Sequence, residues 1–437
     1  MSHMQSLKQL YNVFDPAHPL EAGDPSYMDC QEVRGDFNPV EALSREILWA
    51  DNNFTCQLYT GHRGGGKSTE LKRLIHDLKE QGYQVVYFDA LEDIDPEDAC
   101  YADILVACTR RLLAELKTGE ARPVQTWFET FMASLKEFGL TSLEVENFDV
   151  SFANFTAKIK AVPTSRRKIR QALEPHTPNL IQVLNEFIRS VQKNHSGQLV
   201  LIIDSLDRIV PVVDPSSGRI NHDEIFLDRS EQLKGLACHV IYTVPISMVY
   251  STVSNHLTDR YGRVKVLPMV KLKDKGTRTP YPYGIDVFKQ LILKRIHKAL
   301  PDRSLLELFA NEEVVTTLCM MSGGNVRELM HLIRDTLKFS QGLPITMQAV
   351  QRAISELREV YRRMIHEEHW KRLIDVYITQ DMPNLDEYRK LLYDRCILEY
   401  RQIDPATQNI ESWHDVHPLI VGTEKFRSLL ISSSSPH

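Results

Sequence analysis

Gly61-His62-Arg63-Gly64-Gly65-Gly66-Lys67-Ser68-Thr69 is the stretch that decides the fold. From Gly61 to Ser68 it fits G-x-x-x-x-G-K-S, and each residue type in that pattern has a physical task. The glycines let the backbone take positive φ and bring its N–H groups against phosphate oxygens. A helix beginning at Lys67 aims its positive end at the same anion. Lys67 reaches the β- and γ-phosphates, and the Ser68 hydroxyl ligates Mg²⁺ with Thr69 beside it. The expected nucleotide contacts are Gly61, His62, Arg63, Gly64, Gly65, Gly66, Lys67, Ser68 and Thr69, with ATP or ADP and Mg²⁺ as ligands.

The flanks have the required character. Phe54–Thr60 reads as a short buried strand. Leu71, Leu74, Ile75 and Leu78 fall on one face of a helix over 67–81, which Gly82 ends. A second strand follows at Gln84–Phe88. Further on, Leu199-Val200-Leu201-Ile202-Ile203 is an apolar run ending in Asp204, as expected of a parallel strand covered on both faces and lying beside the loop's strand. An acid at that position holds the metal through its water shell, so Asp204 joins Ser68 as the expected metal site. Asp207 is the leading candidate to polarise an attacking water, with Asp89 in reserve; the alternative for Asp207 is a capping or ion-paired carboxylate beside Arg208. His239–Val244 and Val264–Met269 read as further strands. Thr243, at the end of the first of these, is placed either to sense the γ-phosphate or merely to turn the chain before Pro245.

Between the second and third strands lies a long insert, about 97–197. Helices are predicted at 98–116, 165–172 and 179–192, and the alternation around Asn147–Asn154 predicts a β-hairpin within 142–161. From Asp286 the pattern is helical only, over 287–299, 312–320, 326–339 and 347–367, with Asp286, Asn311 and Thr346 as caps. Helices near 368–379 and 385–394, then strands at 397–401 and 412–416, make a winged-helix pattern. The expected fold class is α/β: a parallel-sheet P-loop core with an inserted hairpin and helical segment, an α-helical lid and a C-terminal winged helix. The expected units are an N-terminal segment 1–39, the core 40–285, the lid 286–366 and the winged helix 367–437.

The 437 residues are 43% hydrophobic and 25% charged, ordinary for a globular protein, with a net charge of −6. That balance speaks against a protein coated in nucleic acid. No apolar run approaches the roughly 18 residues needed to span a bilayer, so no membrane partner is expected. Seven scattered cysteines without a C-x-x-C pair point to a reducing compartment, hence a cytoplasmic location, and away from zinc or disulfides. The first three residues read as an addition ahead of a natural start at Met4.

Taken together, the loop, acidic strand, lid and winged helix resemble the AAA+ and STAND branches of the P-loop ATPases, including origin-recognition-type and NB-ARC or NACHT proteins. The resemblance implies three further sites. Ser322-Gly323-Gly324-Asn325-Val326-Arg327 looks like the start of the lid helix that bears a second-sensor arginine, so Arg327 would reach the γ-phosphate. Arg263 or Arg260, ahead of the last core strand, stands where a neighbouring subunit's arginine finger arises, or else makes a helix-end ion pair. Trp413-His414-Asp415 matches the position of a Met-His-Asp motif, in which His414 would contact the ADP β-phosphate; otherwise it is a histidine near a domain interface. Ser205 replaces the glutamate that AAA+ proteins carry after the strand aspartate, which implies slow turnover suited to a switch. The Gly-His-Arg-Gly-Gly-Gly-Lys-Ser-Thr-Glu-Leu segment looks like bacterial ATP-binding proteins linked to defence, including antiviral defence. The function implied is a Mg-ATP-dependent conformational or assembly switch with a protein partner or self-assembly into an oligomer. The alternative is an ATP-regulated DNA-binding protein using the winged helix and the basic stretch 165–170. A small-molecule kinase is disfavoured because lid and winged helix would have no role.

Overall fold

In the computed structural model, which describes residues 3–36, 38–51, 53–137, 148–161, 163–194, 197–213, 218–404 and 406–434, the predicted first strand is β1, Cys56–Gly61. Helix α1 (His3–Val13) precedes it, followed by α2 (Pro39–Leu48), whose first turn is capped by the Asn38 carboxamide oxygen. Helix α3 (Lys67–Glu80) leaves the glycine-rich loop and leads to β2 (Gln84–Asp89). Strands β3 (Leu199–Asp204), β4 (His239–Thr243) and β5 (Lys265–Leu267) complete a five-stranded parallel sheet in the order β2-β3-β4-β1-β5.

That order corrects one expectation. The acidic strand β3 is not beside β1; β4 lies between them, pairing with β1 through Leu58↔Tyr242 and with β3 through Ile202↔Ile241. Periodicity gives a strand's existence but not its neighbours, and here the chain crosses over one position further than expected.

Leu71, Leu74 and Leu78 of α3 and Leu43 and Ile47 of α2 cover one face of the sheet, against Val200, Ile202 and Ile241. The other face is covered by the insert: α4 (Tyr101–Glu115), α5 (Arg122–Glu137), α6 (Phe148–Ala161), α7 (Pro163–Leu173) and α8 (Thr177–Asn194). The hairpin expected within 142–161 is a helix from Phe148 onward, and 142–147 lie outside the described residues. Phe152 and Phe155 pack on Phe128 and Phe131 of α5, so tertiary burial of aromatic rings overrides the local alternation. The basic stretch 165–170 is turned inward. Arg166 is buried and pairs with Asp95 and Asp98, each at 2.8 Å, and Arg170 pairs with Asp98 and Asp103, leaving Arg167 and Lys168 exposed.

After α9 (Ser254–Tyr261) and β5 come the lid helices α10 (Pro282–Ala299), α11 (Glu312–Met321), α12 (Val326–Phe339) and α13 (Met347–Met364). The first starts a turn before the expected cap Asp286, because Pro282 suits the opening turn of a helix. Asn311 caps α11 as expected, accepting from the Val314 amide, whereas Thr346 makes no side-chain cap. The winged helix comprises α14 (His369–Thr379), α15 (Asp386–Tyr393), the antiparallel strands β6 (Ile397–Ile403) and β7 (Ile410–Val416), and α16 (Glu424–Ser434). Lid, winged helix and α1 share one apolar core.

The units meet at the short linker after β5. Three successive amides donate to three separate segments: Met269 to the Glu399 carbonyl of β6 (3.1 Å), Val270 to Gly324 ahead of α12 (3.4 Å), and Lys271 to Val33 of the N-terminal segment (2.8 Å). A loop at 273–280 then reaches the winged helix. There the fully buried Asp415 carboxylate pairs with Lys273 (2.6 Å) and Arg278 (3.0 Å). Among the described residues no helix is long and apolar enough to cross a membrane, and all seven cysteines are free thiols.

Candidate nucleotide site

At the C-terminal ends of β1, β2 and β3 a cleft opens between the glycine-rich loop, the start of α12 and the N-terminal segment, where a doubly covered parallel sheet places its ligand sites. Its wall includes Arg63, Gly64, Gly66, Lys67, Ser68 and Thr69 of the loop, Asp207 and Asp89 of the strand ends, and Arg327 of the lid. Gly64 and Gly66 stand at φ +84° and +108°, which explains glycine at both positions.

Lys67 Nζ donates to the carbonyls of Gly61 (2.7 Å) and His62 (3.1 Å) and pairs with Asp207 Oδ2 at 2.9 Å, with both side chains almost wholly buried. Asp207 gets there because Ser205 takes φ +66°, turning the chain sharply after β3; a non-glycine residue in that region carries strain of about 1 kcal/mol. Asp204 lies just beneath the wall. It accepts from the Tyr87 hydroxyl (2.9 Å) and the Ser205 amide (2.7 Å) and interacts with the Ser68 hydroxyl. Burial and the neighbouring Asp207 carboxylate raise its pKa. A buried pair of acids with a serine hydroxyl is a hard oxygen set, and a divalent cation there would relieve the repulsion that raises Asp204.

Two domains hold the loop from outside. The Asn325 side chain caps α12, accepting from the Glu328 amide, and its Nδ2 donates to the Arg63 carbonyl (2.8 Å). Beside it the Arg327 amide donates to the Gly64 carbonyl (3.1 Å), and burial, then the Arg208 and Arg395 charges, lower the pKa of the Arg327 guanidinium. From the winged helix, Tyr393 stacks under the Arg63 guanidinium (4.1 Å) while its hydroxyl donates to the Ile209 carbonyl (3.0 Å). On β6 the Glu399 amide donates to His62 Nε2 at 2.9 Å.

The remaining expected residues are placed elsewhere. His62 is a loop residue whose imidazole points away from the cleft toward β6. Thr243 is fully buried, accepting from the Leu206 amide (3.0 Å), and does not reach the wall. His414 is likewise outside the cleft: it sits edge-on to Tyr250 with ring centroids 5.0 Å apart, and neither ring nitrogen has a hydrogen-bond partner. Arg263 is exposed at the bend before β5 and does not line its own chain's cleft, and Arg260 donates to Ser230 Oγ (2.8 Å). Residues not anticipated as site residues include Tyr87, Arg208, Arg295 and the segment Pro16-Ala17-His18-Pro19, which folds back across the cleft and is tied down by the Leu20 amide donating to Thr69 Oγ1 (3.2 Å). Tyr87 lies within β2, two residues ahead of its end, in an apolar run that does not single it out, and nothing local announces the return of 16–20.

Behind the loop, Glu399 is buried between Tyr250, His62 and β7. Burial pushes its carboxyl up to about 7, against the pull of the Tyr250 hydroxyl and the Arg401 guanidinium. His62 and His414 beside it are held uncharged by burial, His414 down at about 4. A folded pKa above the unfolded carboxylate value means Glu399 favours the fold below about pH 4.5, and that contribution is lost as pH rises through 7. Glu399→Gln is therefore expected to be more stable than the parent at pH 8, by up to roughly 3 kcal/mol, with the difference vanishing near pH 4.5. Melting temperatures at both pH values check this; equal pH profiles would show that Glu399 does not titrate there.

Loop, acidic strand end and parallel sheet have the architecture of a P-loop core, carried here with a helical lid and a winged helix. No family model matches the chain, and no curated protein matches it in sequence. Among solved structures it is similar to the Walker-type ATPase PABY2304 of Pyrococcus abyssi, at 14% identity over 94% of this chain and 98% of that one, with a TM-score of 0.44. It is also similar to the Aeropyrum pernix ORC1 protein in complex with DNA (11% identity, 97% and 96% coverage, TM-score 0.42). A third similarity is to a Thermotoga maritima RuvB mutant (11% identity, 94% and 96% coverage, TM-score 0.38).

Proposed function

We propose that this chain is a Mg-ATP-binding switch in which the phosphates set the position of the lid and winged helix. The observation that carries the reading is the grip on the loop's outer surface: Asn325 and Arg327 from the lid, Tyr393 and Glu399 from the winged helix. Any shift of the loop on exchanging ATP for ADP is passed to both units, because each is bonded to it directly. Lys67 and Arg327 supply positive charge to the phosphates. Ser68 and Asp204 would hold Mg²⁺, which supplies charge neutralisation between the phosphate oxygens. The base would lie between Pro16–Pro19 and the lid residues Val326 and Met330, all of which line the cleft. Hydrolysis on this reading is slow. Asp207 is committed to Lys67, and a carboxylate neutralising an ammonium group is a poor general base. Asp89 is occupied in capping the Leu91 amide (2.9 Å).

The DNA-binding alternative draws little from this arrangement. Helix α15, which a winged helix would lay in the major groove, buries Tyr388, Leu391, Leu392 and Tyr393 and leaves Asp386, Glu387 and Lys390 exposed. That surface is not basic, and Arg166 and Arg170 are neutralised within the insert.

Gly64→Ala tests the switch. A β-carbon there would stand 2.5 Å from Asn325 Oδ1 and 2.7 Å from Arg327 Cβ, at a φ that disfavours alanine, so lid and loop must part. Small-angle scattering of the parent should differ between Mg-ADP and a non-hydrolysable ATP analogue. The variant should be more extended and insensitive to which nucleotide is added. Identical scattering of parent and variant in both states counts against the switch; light scattering on the same samples reports any change of assembly.

A further inference from the structure

All the carbonyls of the loop from Gly61 to Gly65 are held. Gly61 and His62 accept from Lys67 Nζ, Arg63 from Asn325, Gly64 from the Arg327 amide, and Gly65 from Arg34 Nη2 at 2.6 Å. In a planar trans peptide the C=O and the following N–H point in opposite directions. A carbonyl drawn outward therefore turns the next amide inward. By holding the Gly65 carbonyl, Arg34 sets the direction of the Gly66 N–H, the last loop amide before α3, and Gly66 is part of the cleft wall.

Arg34 is unusual in its own right. It comes from a single turn, Glu32–Arg34, of the N-terminal segment and is 5% exposed. Its Nε and Nη1 have no hydrogen-bond partner, and among the described residues no carboxylate forms an ion pair with it. The nearby Cys30 gives no counter-charge, since burial pushes its thiol up to about 11. Glu70 on α3 is already engaged by Arg73 (3.1 Å) and the Tyr27 hydroxyl. A guanidinium buried without an opposite charge is costly unless an anion binds close by. One peptide separates it from the phosphate cleft, and a β-carbon on Gly66 would lie 3.6 Å from its Nη2.

We propose that Arg34 is a positioning residue for the phosphates. It fixes the Gly65–Gly66 peptide with its amide toward the cleft and sets beneath the loop a positive charge that a phosphate chain neutralises. The proposal rests on the reading of the cleft as a nucleotide site. It makes the N-terminal segment part of the phosphate-binding apparatus, although Arg34 itself does not line the cleft.

The test is calorimetry of the full chain with Mg-ATP, Mg-ADP and adenosine, for the parent, Arg34→Met and Arg34→Lys. Arg34→Met should weaken both nucleotides about tenfold or more and leave adenosine unchanged, the size expected for one charge-assisted hydrogen bond. Arg34→Lys, which keeps the charge and one donor, should recover most of the loss. If the methionine variant does not fold, Arg34→Gln takes its place with the same expectation. Equal nucleotide affinity in parent and variant overturns the proposal, as does a parallel loss of adenosine, which would mark a general collapse of the site. A parent that binds none of the three ligands refutes the nucleotide reading itself, an outcome distinct from the failure of Arg34.

Discussion

Lys67→Ala should lower the affinity for Mg-ATP by about a hundredfold, the equivalent of roughly 3 kcal/mol for an ammonium group hydrogen-bonded to phosphate oxygens. The structure adds a second effect. Lys67 is the buried partner of Asp207, at 2.9 Å, and Asp204 lies close enough for the two carboxylates to repel one another. Removing the ammonium leaves that pair without its counter-charge, a change that typically costs about 3–5 kcal/mol. The variant should therefore melt earlier than the parent. Adding Asp207→Asn should restore much of the melting temperature but none of the nucleotide binding. Calorimetry and thermal melts separate the two effects. Undiminished ATP affinity in Lys67→Ala would remove the basis for the nucleotide reading, whereas unchanged melting would show only that the buried pair is energetically neutral.

Asp415→Asn should produce the largest purely structural effect. The Asp415 carboxylate is fully buried and receives Lys273 at 2.6 Å and Arg278 at 3.0 Å; Arg278 also donates to the Tyr377 carbonyl and stacks on the Tyr377 ring at 3.9 Å. Burial already lowers the pKa of Lys273, so its charge depends on Asp415. Losing the carboxylate strands two partly buried cations, at a cost of about 3–5 kcal/mol concentrated where the 273–280 loop meets the winged helix. Differential scanning calorimetry should then resolve an early transition for the winged helix, and limited proteolysis should cut between α13 and α14. A single melt unchanged from the parent would show that the shared apolar core, not the ion pair, holds the winged helix in place.

The phosphate loop, its helix, the buried acidic strand and the lid helices were legible in the sequence, since each carries a local signal: a spacing of glycines, a 3.6-residue apolar period or an uninterrupted apolar run. Helix α12, with Asn325 as its cap, occupies the expected residues. What sequence left out is long-range. The position of β4 between β1 and β3 depends on a crossover that no residue encodes by itself. The stretch 148–161 alternates like a strand and folds as a helix because Phe128 and Phe131 wait on α5, a helix whose own period of Val124, Trp127, Phe131 and Leu135 was there to be read. His414 stands in a suggestive motif, yet the path of β7 sets it against Tyr250 and away from the cleft. Arg34 has no motif at all; its role depends on a fold that brings it beneath a loop about 30 residues further on.

Met269, Val270 and Lys271 form no strand or helix, but their amides tether three separate parts of the molecule in consecutive positions. A rotation of the lid that breaks the Val270 bond must twist peptides whose neighbours are fastened to β6 and to the N-terminal segment. Displacing one of the three appendages alone would leave a backbone group at this linker unpaired, which favours their turning together, like spokes on one hub.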